Sequence, residues 1–288
     1  MYASGQTGPW FYCMLQTRPR RRDRSHRVKI GPPVPACWVA WYPWTRMAIA
    51  SPKIHSNLLL AALSPKERAL IGEASSIVRL SAGNVLIDRG DRLRYVYFPL
   101  DCVLSLLATA DEHSMVEVAM IGREGVVGYI ETLGGRISTS RILVVHGGAA
   151  LRLTVSQTLQ FLNSSAALCE ILNHYLFAYI SQLAQTVACT RFHQIEPRLA
   201  RWLLMVDDRS TAQGFSMTQD SLAILLGVRR VGISAAAGAF KSKRLIQYSR
   251  GNLQLTNRVS LQAEACTCYP ADLASYERIE NYRRTATK

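Results

Sequence analysis

The sequence predicts an α+β chain: a β-roll in the first half, one long helix, and a compact helical unit closed by a β-hairpin. Three observations carry this. Between residues 76 and 155, short apolar and β-branched segments are punctuated by turn residues at Gly83, Gly90-Asp91, Asp101, Asp111-Glu112, Gly122, Gly134-Gly135 and Gly147-Gly148, the spacing of a sandwich or roll. Beyond Val155 the apolar period changes to three and four residues, which is helical. Further on, two helical stripes flank Gly227 and are followed by a pair of alternating segments.

The first 50 residues predict no fold. They combine Arg20-Arg21-Arg22, the Pro32-Pro33-Val34-Pro35 stretch and Trp10, Trp38, Trp41 and Trp44 without a 2- or 3.6-residue period. They are expected to be disordered, or to precede a true start at Met47. From Asn57 to Ala74 the pattern predicts a short helix, with Ser64 as N-cap, Pro65 at its first position and Glu67 completing a capping box. Strands are expected at 77–80, 85–87, 95–98, 103–107, 116–121, 142–145 and 151–155. From about Ala166 to Thr190, Leu168, Ile171, Leu172, Tyr175, Tyr179 and Leu183 recur on one face of a long helix. So regular a seam suits packing against its own copy, and Leu168, Leu172, Tyr175, Tyr179 and Leu183 are the expected dimerisation residues.

The chain has 288 residues and a formal net charge of +14, with 49% hydrophobic and 19% charged residues. That length accommodates two domains, and that composition a packed core. The charge is concentrated. Residues 1–46 carry eight basic residues against Asp23, residues 47–190 balance at 11 of each sign, and residues 191–260 hold 11 basic against four acidic. A localised basic excess points to a polyanionic partner. The cysteines at 13, 37, 102, 169, 189, 266 and 268 are odd in number and scattered, as in a reducing cytoplasm rather than a disulfide framework. Neither Cys266-Thr267-Cys268 nor Cys189 with His193 shows the paired spacing of a zinc or iron–sulfur site, so no metal ligand is expected. No apolar run reaches the ~18–20 residues of a membrane span. His113, His146, His174 and His193 stand apart in sequence, without the residue pattern of a catalytic triad or phosphate-cradling loop, and no enzymatic activity is expected.

Residues 217–246 hold the most specific pattern. Thr218 caps a helix with Leu222, Leu225 and Leu226 inward, Ala223 is small where a second helix crosses, and Gly227 supplies the turn. Ile233, Ala236, Ala237 and Phe240 form the second helix's inward stripe. This is helix-turn-helix spacing, preceded by a scaffold helix at 191–208 with Leu199, Trp202, Leu203 and Val206 inward. The opposite face of the second helix presents Arg229, Arg230, Ser234 and Lys241, the chemistry of a helix that enters a DNA major groove. Arg230 is the expected base reader, and Arg229 and Lys241 the expected phosphate contacts. Thr218, Gln219 and the first helix's free amides suit a backbone phosphate. Residues 245–248 and 253–255 alternate around Ser249-Arg250-Gly251-Asn252, a hairpin wing with Arg250 at its tip for a further phosphate contact.

A β-roll, a long helix and a winged helix-turn-helix in this order resemble the Crp/Fnr regulators across roughly residues 57–269. In the first half the similarity rests on Leu80-x-x-Gly83, Gly90-Asp91, Tyr95-Val96-Tyr97-Phe98 and Gly122-Arg123-Glu124-Gly125. In the second it rests on Val187 through Arg201-Trp202-Leu203-Leu204-Met205, Leu226-Gly227-Val228-Arg229-Arg230 and Cys266-Thr267-Cys268-Tyr269. The resemblance implies a cytoplasmic homodimeric transcription regulator on near-palindromic double-stranded DNA, and admits RNA polymerase as a further partner. It implies an effector pocket at Glu124, Gly125, Ser138 and Thr139, with Glu124 standing for the ribose-binding glutamate. It divides the chain into the 1–50 extension, a 51–155 cyclic-nucleotide-binding-like sensor, a 156–190 helical linker and dimerisation helix, a 191–265 winged helix-turn-helix and a 266–288 tail. The sequence departs from the family's Arg-Ser phosphate clamp: Ser138-Thr139-Ser140 occupies that place, with Arg136 and Arg141 outside the frame. A guanidinium partner for a buried phosphate contributes ~1.5–3 kcal/mol. A cyclic nucleotide is therefore disfavoured as effector, and no cofactor is expected. The alternative, a cyclic-nucleotide-binding-like module that controls a partner protein and carries a degenerate helix-turn-helix, leaves the basic excess at 191–260 without a role.

Overall fold

The computed structural model describes residues 54–286 apart from 111–113, 211 and 213, and these belong to one unit, Pro43–Lys288. The 1–50 extension, with Met47, and the turn at Asp111-Glu112 with His113 lie outside the described residues. After a 3₁₀ turn at Ile54–Ser56 come α1 (Leu58–Ala61) and α2 (Pro65–Ala74). The capping box is in place: the Glu67 N–H donates to Ser64 Oγ at 3.3 Å and Glu67 Oε2 accepts from the Ser64 N–H at 3.1 Å. Asn57 caps α1 from a fully buried position, satisfied by donating Nδ2 to the carbonyls of Pro99 and Gly125, both at 3.0 Å.

The roll consists of β1 (Ser76–Leu80), β2 (Val85–Ile87), β3 (Tyr95–Pro99), β4 (Val103–Thr109), β5 (Met115–Ile121), α3 (Tyr129–Gly134), β6 (Arg141–His146) and β7 (Gly148–Thr154). The pairings are antiparallel, in sheets of order β1-β7-β3 and β2-β6-β4-β5. Alternate residues such as Val96 and Phe98, Leu104 and Leu106, Ile142 and Val144, and Leu151 and Leu153 point into one core, as the two-residue period of a strand requires. Helix α3 was not expected. It starts after Gly128, whose φ of +90° and 2.9 Å approach of a Cβ to the Tyr95 carbonyl admit only glycine.

Val155 opens a helix rather than closing a strand, because Thr154 and Gln157 form a second capping box at the start of α4 (Val155–Ser164). Ser165 then caps α5 (Ala166–Phe192), 27 residues long. Its orientation corrects the expected dimer seam. Leu168, Leu172, Tyr175 and Tyr179 are buried in the roll's own core and Leu183 packs against it, with the Tyr175 hydroxyl donating to the Val126 carbonyl at 3.1 Å. The face turned to solvent carries Phe177, Ile180 and Val187, exposed by 58%, 56% and 67%. With Ala184 these recur in alternating three- and four-residue steps, the seam of a coiled coil.

The chain continues through α6 (Ile195–Arg209), β8 (Phe215–Ser216), α7 (Gln219–Leu226), α8 (Arg230–Ser242), β9 (Ile246–Ser249), β10 (Asn252–Leu255), α9 (Arg258–Glu264) and α10 (Cys268–Ala286). The scaffold helix begins four residues later than expected. Pro197 has no N–H to bond to the His193 carbonyl, so α5 cannot run on through it, and the proline is tolerated only in the first turn of a new helix. The expected tail is instead α10, which packs along α5 and α6. Tyr269 is fully buried, and Asp272 accepts from Arg201 Nε at 2.6 Å with both side chains under 10% exposed. Among the described residues no single helix is long and apolar enough to cross a membrane.

Candidate nucleic-acid interface

The helix-turn-helix is assembled from the residues that suggested it. Thr218 Oγ1 accepts the Ser221 N–H at 3.1 Å and starts α7. Gly227 ends α7 in the left-handed region, φ +63° and ψ +41°, and the chain bends by 112° into α8, within the usual range for this motif. Leu222, Ala223, Leu225 and Leu226 of α7 and Ile233, Ala236, Ala237 and Phe240 of α8 are all buried. Gly232 serves a role the sequence did not reveal. A Cβ there would lie 2.4 Å from Ile195 Cδ1, so its absence lets α8 cross the start of α6 closely.

Outside, Thr218, Gln219, Arg230, Ser234, Lys241 and Arg250 line one concave surface together with Asp220 and Tyr248. The Ser234 hydroxyl donates to Gln219 Oε1 at 2.6 Å, which commits the amide oxygen and leaves the amide nitrogen as a donor for an anion. Arg230 Nε lies 3.2 Å from Asp220 Oδ1, with both side chains more than half exposed. Asp220 was not foreseen as part of the site. It holds the inner edge of the guanidinium and leaves the terminal nitrogens for a bidentate acceptor. At the wing tip Arg250 has φ +49° and Gly251 φ +82°, the signature of a type I′ turn. The Tyr248 hydroxyl donates to the Met217 carbonyl at 2.7 Å and ties the wing to the approach to α7; burial pushes it up to about 12. Arg229 departs from expectation. As the N-cap of α8 it borders a different recess, with Met115, Ile195 and Val231.

Residues 197–264 match the family model of the Crp-like helix-turn-helix domain. The chain carries a Crp-like DNA-binding domain. No curated protein matches the sequence. Among solved structures the chain is similar to FixK2 from Bradyrhizobium japonicum, at 13% identity and a TM-score of 0.57, over 67% of this chain and 98% of that one. A second is the c-di-GMP-responsive global regulator CLP of Xanthomonas campestris, at 14% identity and a TM-score of 0.54, over 67% and 99%. A third is a CRP/FNR-family transcriptional regulator from Thermus thermophilus, at 17% identity and a TM-score of 0.52, over 66% and 98%. At such identities the likeness establishes the fold: a Crp/Fnr-type roll, long helix and Crp-like domain.

The effector residues assigned from the sequence are not brought together. Glu124 does not line the cleft beneath α3; its Oε1 accepts from Arg209 Nε of the Crp-like domain at 2.7 Å and from the Gly122 N–H at 3.0 Å. Gly125 is packed under Tyr175, whose ring would meet an added Cβ at 2.8 Å. Ser138 is buried and donates its hydroxyl to the Ser140 carbonyl at 2.8 Å. Of the four only Thr139 lines the cleft of about 260 Å³ between the roll, α3 and α5, alongside Leu106, Ile121, Val126, Ile130, Glu131, Ile142 and Tyr179. Its lining includes an acid and no lysine or arginine. Arg141 is instead bound by Asp88 through two contacts of 2.9 Å.

The reading of the C-terminal thiols as scattered is also corrected. Cys189, His193, Cys266 and Cys268 converge where α5 gives way to the Crp-like domain, with their ligand atoms all within 4.8 Å of one another.

Proposed function

We propose that this chain is a sequence-specific transcription regulator that acts in the cytoplasm as a homodimer on double-stranded DNA, with RNA polymerase as a further partner. The observation that carries the reading is the single concave surface on which α8, the cap of α7 and the wing tip present Arg230, Lys241, Gln219 and Arg250. The basic residues there neutralise phosphates, and the exposed face of α8 is free to enter a major groove. The exposed stripe of Phe177, Ile180, Ala184 and Val187 supplies the dimer contact, which places two such surfaces on one operator. Residues 51–155 form the sensor, 156–190 the linker and dimerisation helix and 191–265 the DNA-binding domain of this reading.

The cleft beneath α3 is the natural effector site. Its apolar lining and Glu131 disfavour a phosphate-bearing ligand such as a cyclic nucleotide or c-di-GMP; a small, mostly apolar molecule fits its chemistry better. Random-site selection followed by salt-titrated binding tests the central reading. Enrichment of a two-fold symmetric site, with a steep salt slope on it, is expected. Selection of no sequence, together with a shallow slope, would refute the reading in favour of a module that controls a partner protein.

A further inference from the structure

Three thiols and an imidazole from two chain segments, 189–193 and 266–268, meet at the junction of α5 and α6. Cys189 lies in the last turn of α5, and His193, four residues on, is the helix C-cap, with its N–H bonded to the Cys189 carbonyl at 3.1 Å. One side of the helix end therefore presents both side chains. Cys266 follows α9 and is tethered to the start of α6 by its N–H to the Pro197 carbonyl at 3.4 Å. Cys268 opens α10. Cys189 Sγ lies 3.6 Å from Cys266 Sγ, and Cys268 Sγ lies 3.4 Å from His193 Nδ1. The three cysteines are buried and the histidine is half-buried.

The Cys189–Cys266 and Cys268–His193 separations match two edges of a coordination tetrahedron, and all four ligand atoms lie within 4.8 Å of one another, within reach of one central ion. With metal–sulfur bonds of ~2.3 Å and metal–nitrogen bonds of ~2.0–2.1 Å, a tetrahedral centre sets its sulfurs ~3.7 Å apart and sulfur and nitrogen ~3.5 Å apart. Thiols that merely fill a core behave as small apolar groups and do not require an imidazole nitrogen and an amide donor among them. Here Gln185 Nε2 donates to Cys268 Sγ at 2.8 Å, the kind of outer contact that stabilises a ligating thiolate. Three thiolates around a divalent ion leave one net negative charge, and Arg198 and Arg201 of α6 both interact electrostatically with Cys189 and Cys266. A multi-iron cluster would place its cysteines on different irons and hold them further apart than 4.8 Å. Four protein ligands close the coordination shell, as in structural rather than catalytic centres.

We propose that Cys189, His193, Cys266 and Cys268 form a structural site for one zinc(II) ion per chain, which pins the α5–α6 hinge to the start of α10. The hinge is only two residues long, from Phe192 to Ile195. An ion held between the end of α5 and the α9–α10 junction, which is itself bonded to Pro197 of α6, fixes the direction in which the DNA-binding domain leaves the long helix. The site is independent of the effector cleft and of the DNA-contacting surface.

The test uses the full chain, reduced and reconstituted without oxygen in zinc(II) or cobalt(II). One equivalent retained after desalting is expected, with the intense visible bands of tetrahedral cobalt(II) and thiolate-to-cobalt charge transfer. Cys268→Ser and His193→Gln should weaken retention at least tenfold. Cys268→His should keep the ion with a shifted cobalt spectrum, which separates ligand loss from misfolding. Cys102→Ser, in the roll, and a Cys13→Ser/Cys37→Ser chain should retain the full equivalent. The proposal is overturned if the reduced chain retains no zinc and gives only octahedral cobalt, or if the Cys189→Ser/Cys266→Ser chain still holds one equivalent. A Cys189–Cys266 disulfide that takes up no ion after reduction would overturn it equally.

Discussion

Breaking the buried pair between Glu124 and Arg209 should uncouple the roll from the DNA-binding domain at a stability cost that the structure makes large. The two groups meet at 2.7 Å with side chains 10% and 5% exposed, one on the loop after β5 and the other at the end of α6. Arg209 also donates to the Met205 carbonyl at 3.0 Å and lies 4.9 Å above the Tyr276 ring. Burial alone would pull the guanidinium down; the Glu124 carboxylate and the Tyr276 side chain together more than offset this and hold it above its ordinary range. Removing one partner strands the other charge in a dry site, which costs about 3–5 kcal/mol. Arg209→Met also forfeits the ring contact, worth roughly 0.5–2 kcal/mol, so it belongs at the upper end of that range. Glu124→Gln leaves the guanidinium its carbonyl and its ring and belongs at the lower end. The Glu124→Gln/Arg209→Met double variant leaves no unpaired charge and should lose less than the sum of the singles by about 2 kcal/mol or more. Urea denaturation followed by circular dichroism measures all four corners of the cycle. Singles that each cost under about 1 kcal/mol, or a double that is simply additive, would refute the claim that this pair joins the two halves.

Glu117 gives a pH signature. Burial pushes its carboxyl from an ordinary 4.5 up to about 7, against the opposing hydrogen bond from Ser105. The folded chain therefore holds this proton more tightly than the unfolded one. Its contribution to stability is fully present below the ordinary carboxylate range and is lost, by about 3 kcal/mol, as pH rises from near 4.5 to above 7. Glu117→Gln should flatten that slope and stabilise the protein at pH 8, and equal denaturation midpoints for both proteins at pH 5 and at pH 8 would refute the assignment. Ile180→Asp or Val187→Asp should give folded monomers in sedimentation, whereas Leu183→Asp should loosen the roll; persistence of dimers in both of the first two would remove this stripe from the interface. Arg230→Ala should cost ~1–3 kcal/mol on the selected operator and relax one base position, while Lys241→Ala weakens all DNA alike; equal losses on operator and random DNA for Arg230→Ala would make it a phosphate contact. Arg250→Gly should relieve ~1–2 kcal/mol of left-handed strain at the wing tip yet weaken DNA binding, and tighter binding would show the arginine to be a bystander.

What the sequence disclosed was local. The capping box at Ser64, the seven strand segments, the spacing of Ala223, Gly227 and Ile233, and the turn at Arg250-Gly251 each lie within a dozen residues and follow from periodicity and turn chemistry. The orientation of α5 was not legible, because Tyr175 and Tyr179 compete with Phe177 and Ile180 and the helix is apolar on more than one side. Only the roll packed against it selects the inward stripe. Helix α10 was hidden because Asp272, a buried charge, occupies the inward position between Tyr269 and Tyr276. Glu124 was placed in the effector pocket by analogy of motif, and its true partner, Arg209, lies 85 residues away. The Cys3His cluster escaped for the same reason: Cys189 and Cys266 are separated by 77 residues, so no motif of fixed short spacing records them.

These long-range contacts give α6 a mechanical role. Its start is held by the hinge cluster through Pro197, and Gly232 allows α8 to lie directly on Ile195. Its end is held by Glu124. Any reorientation of α6 is therefore passed to α8 with little slack. The Glu124 end faces the roll, since Ile121 and Val126, which flank Glu124 in sequence, both line the cleft beneath α3. Gly122 leaves no room for adjustment: a Cβ there would lie 2.7 Å from Arg209 Cγ and 2.8 Å from Glu124 Oε2. A ligand that displaced Ile121 or Val126 would have to move Glu124 against Arg209, and it could bias the pose of α8 only by as much as it prefers one arrangement of that pair over the other. The hinge ion would act differently. Because it grips the end of α5 and the start of α10, with Cys266 in turn bonded to Pro197 of α6, it limits the poses available to the DNA-binding domain whether or not the cleft is filled, so loss of the ion should widen the range of poses without removing the response to an effector.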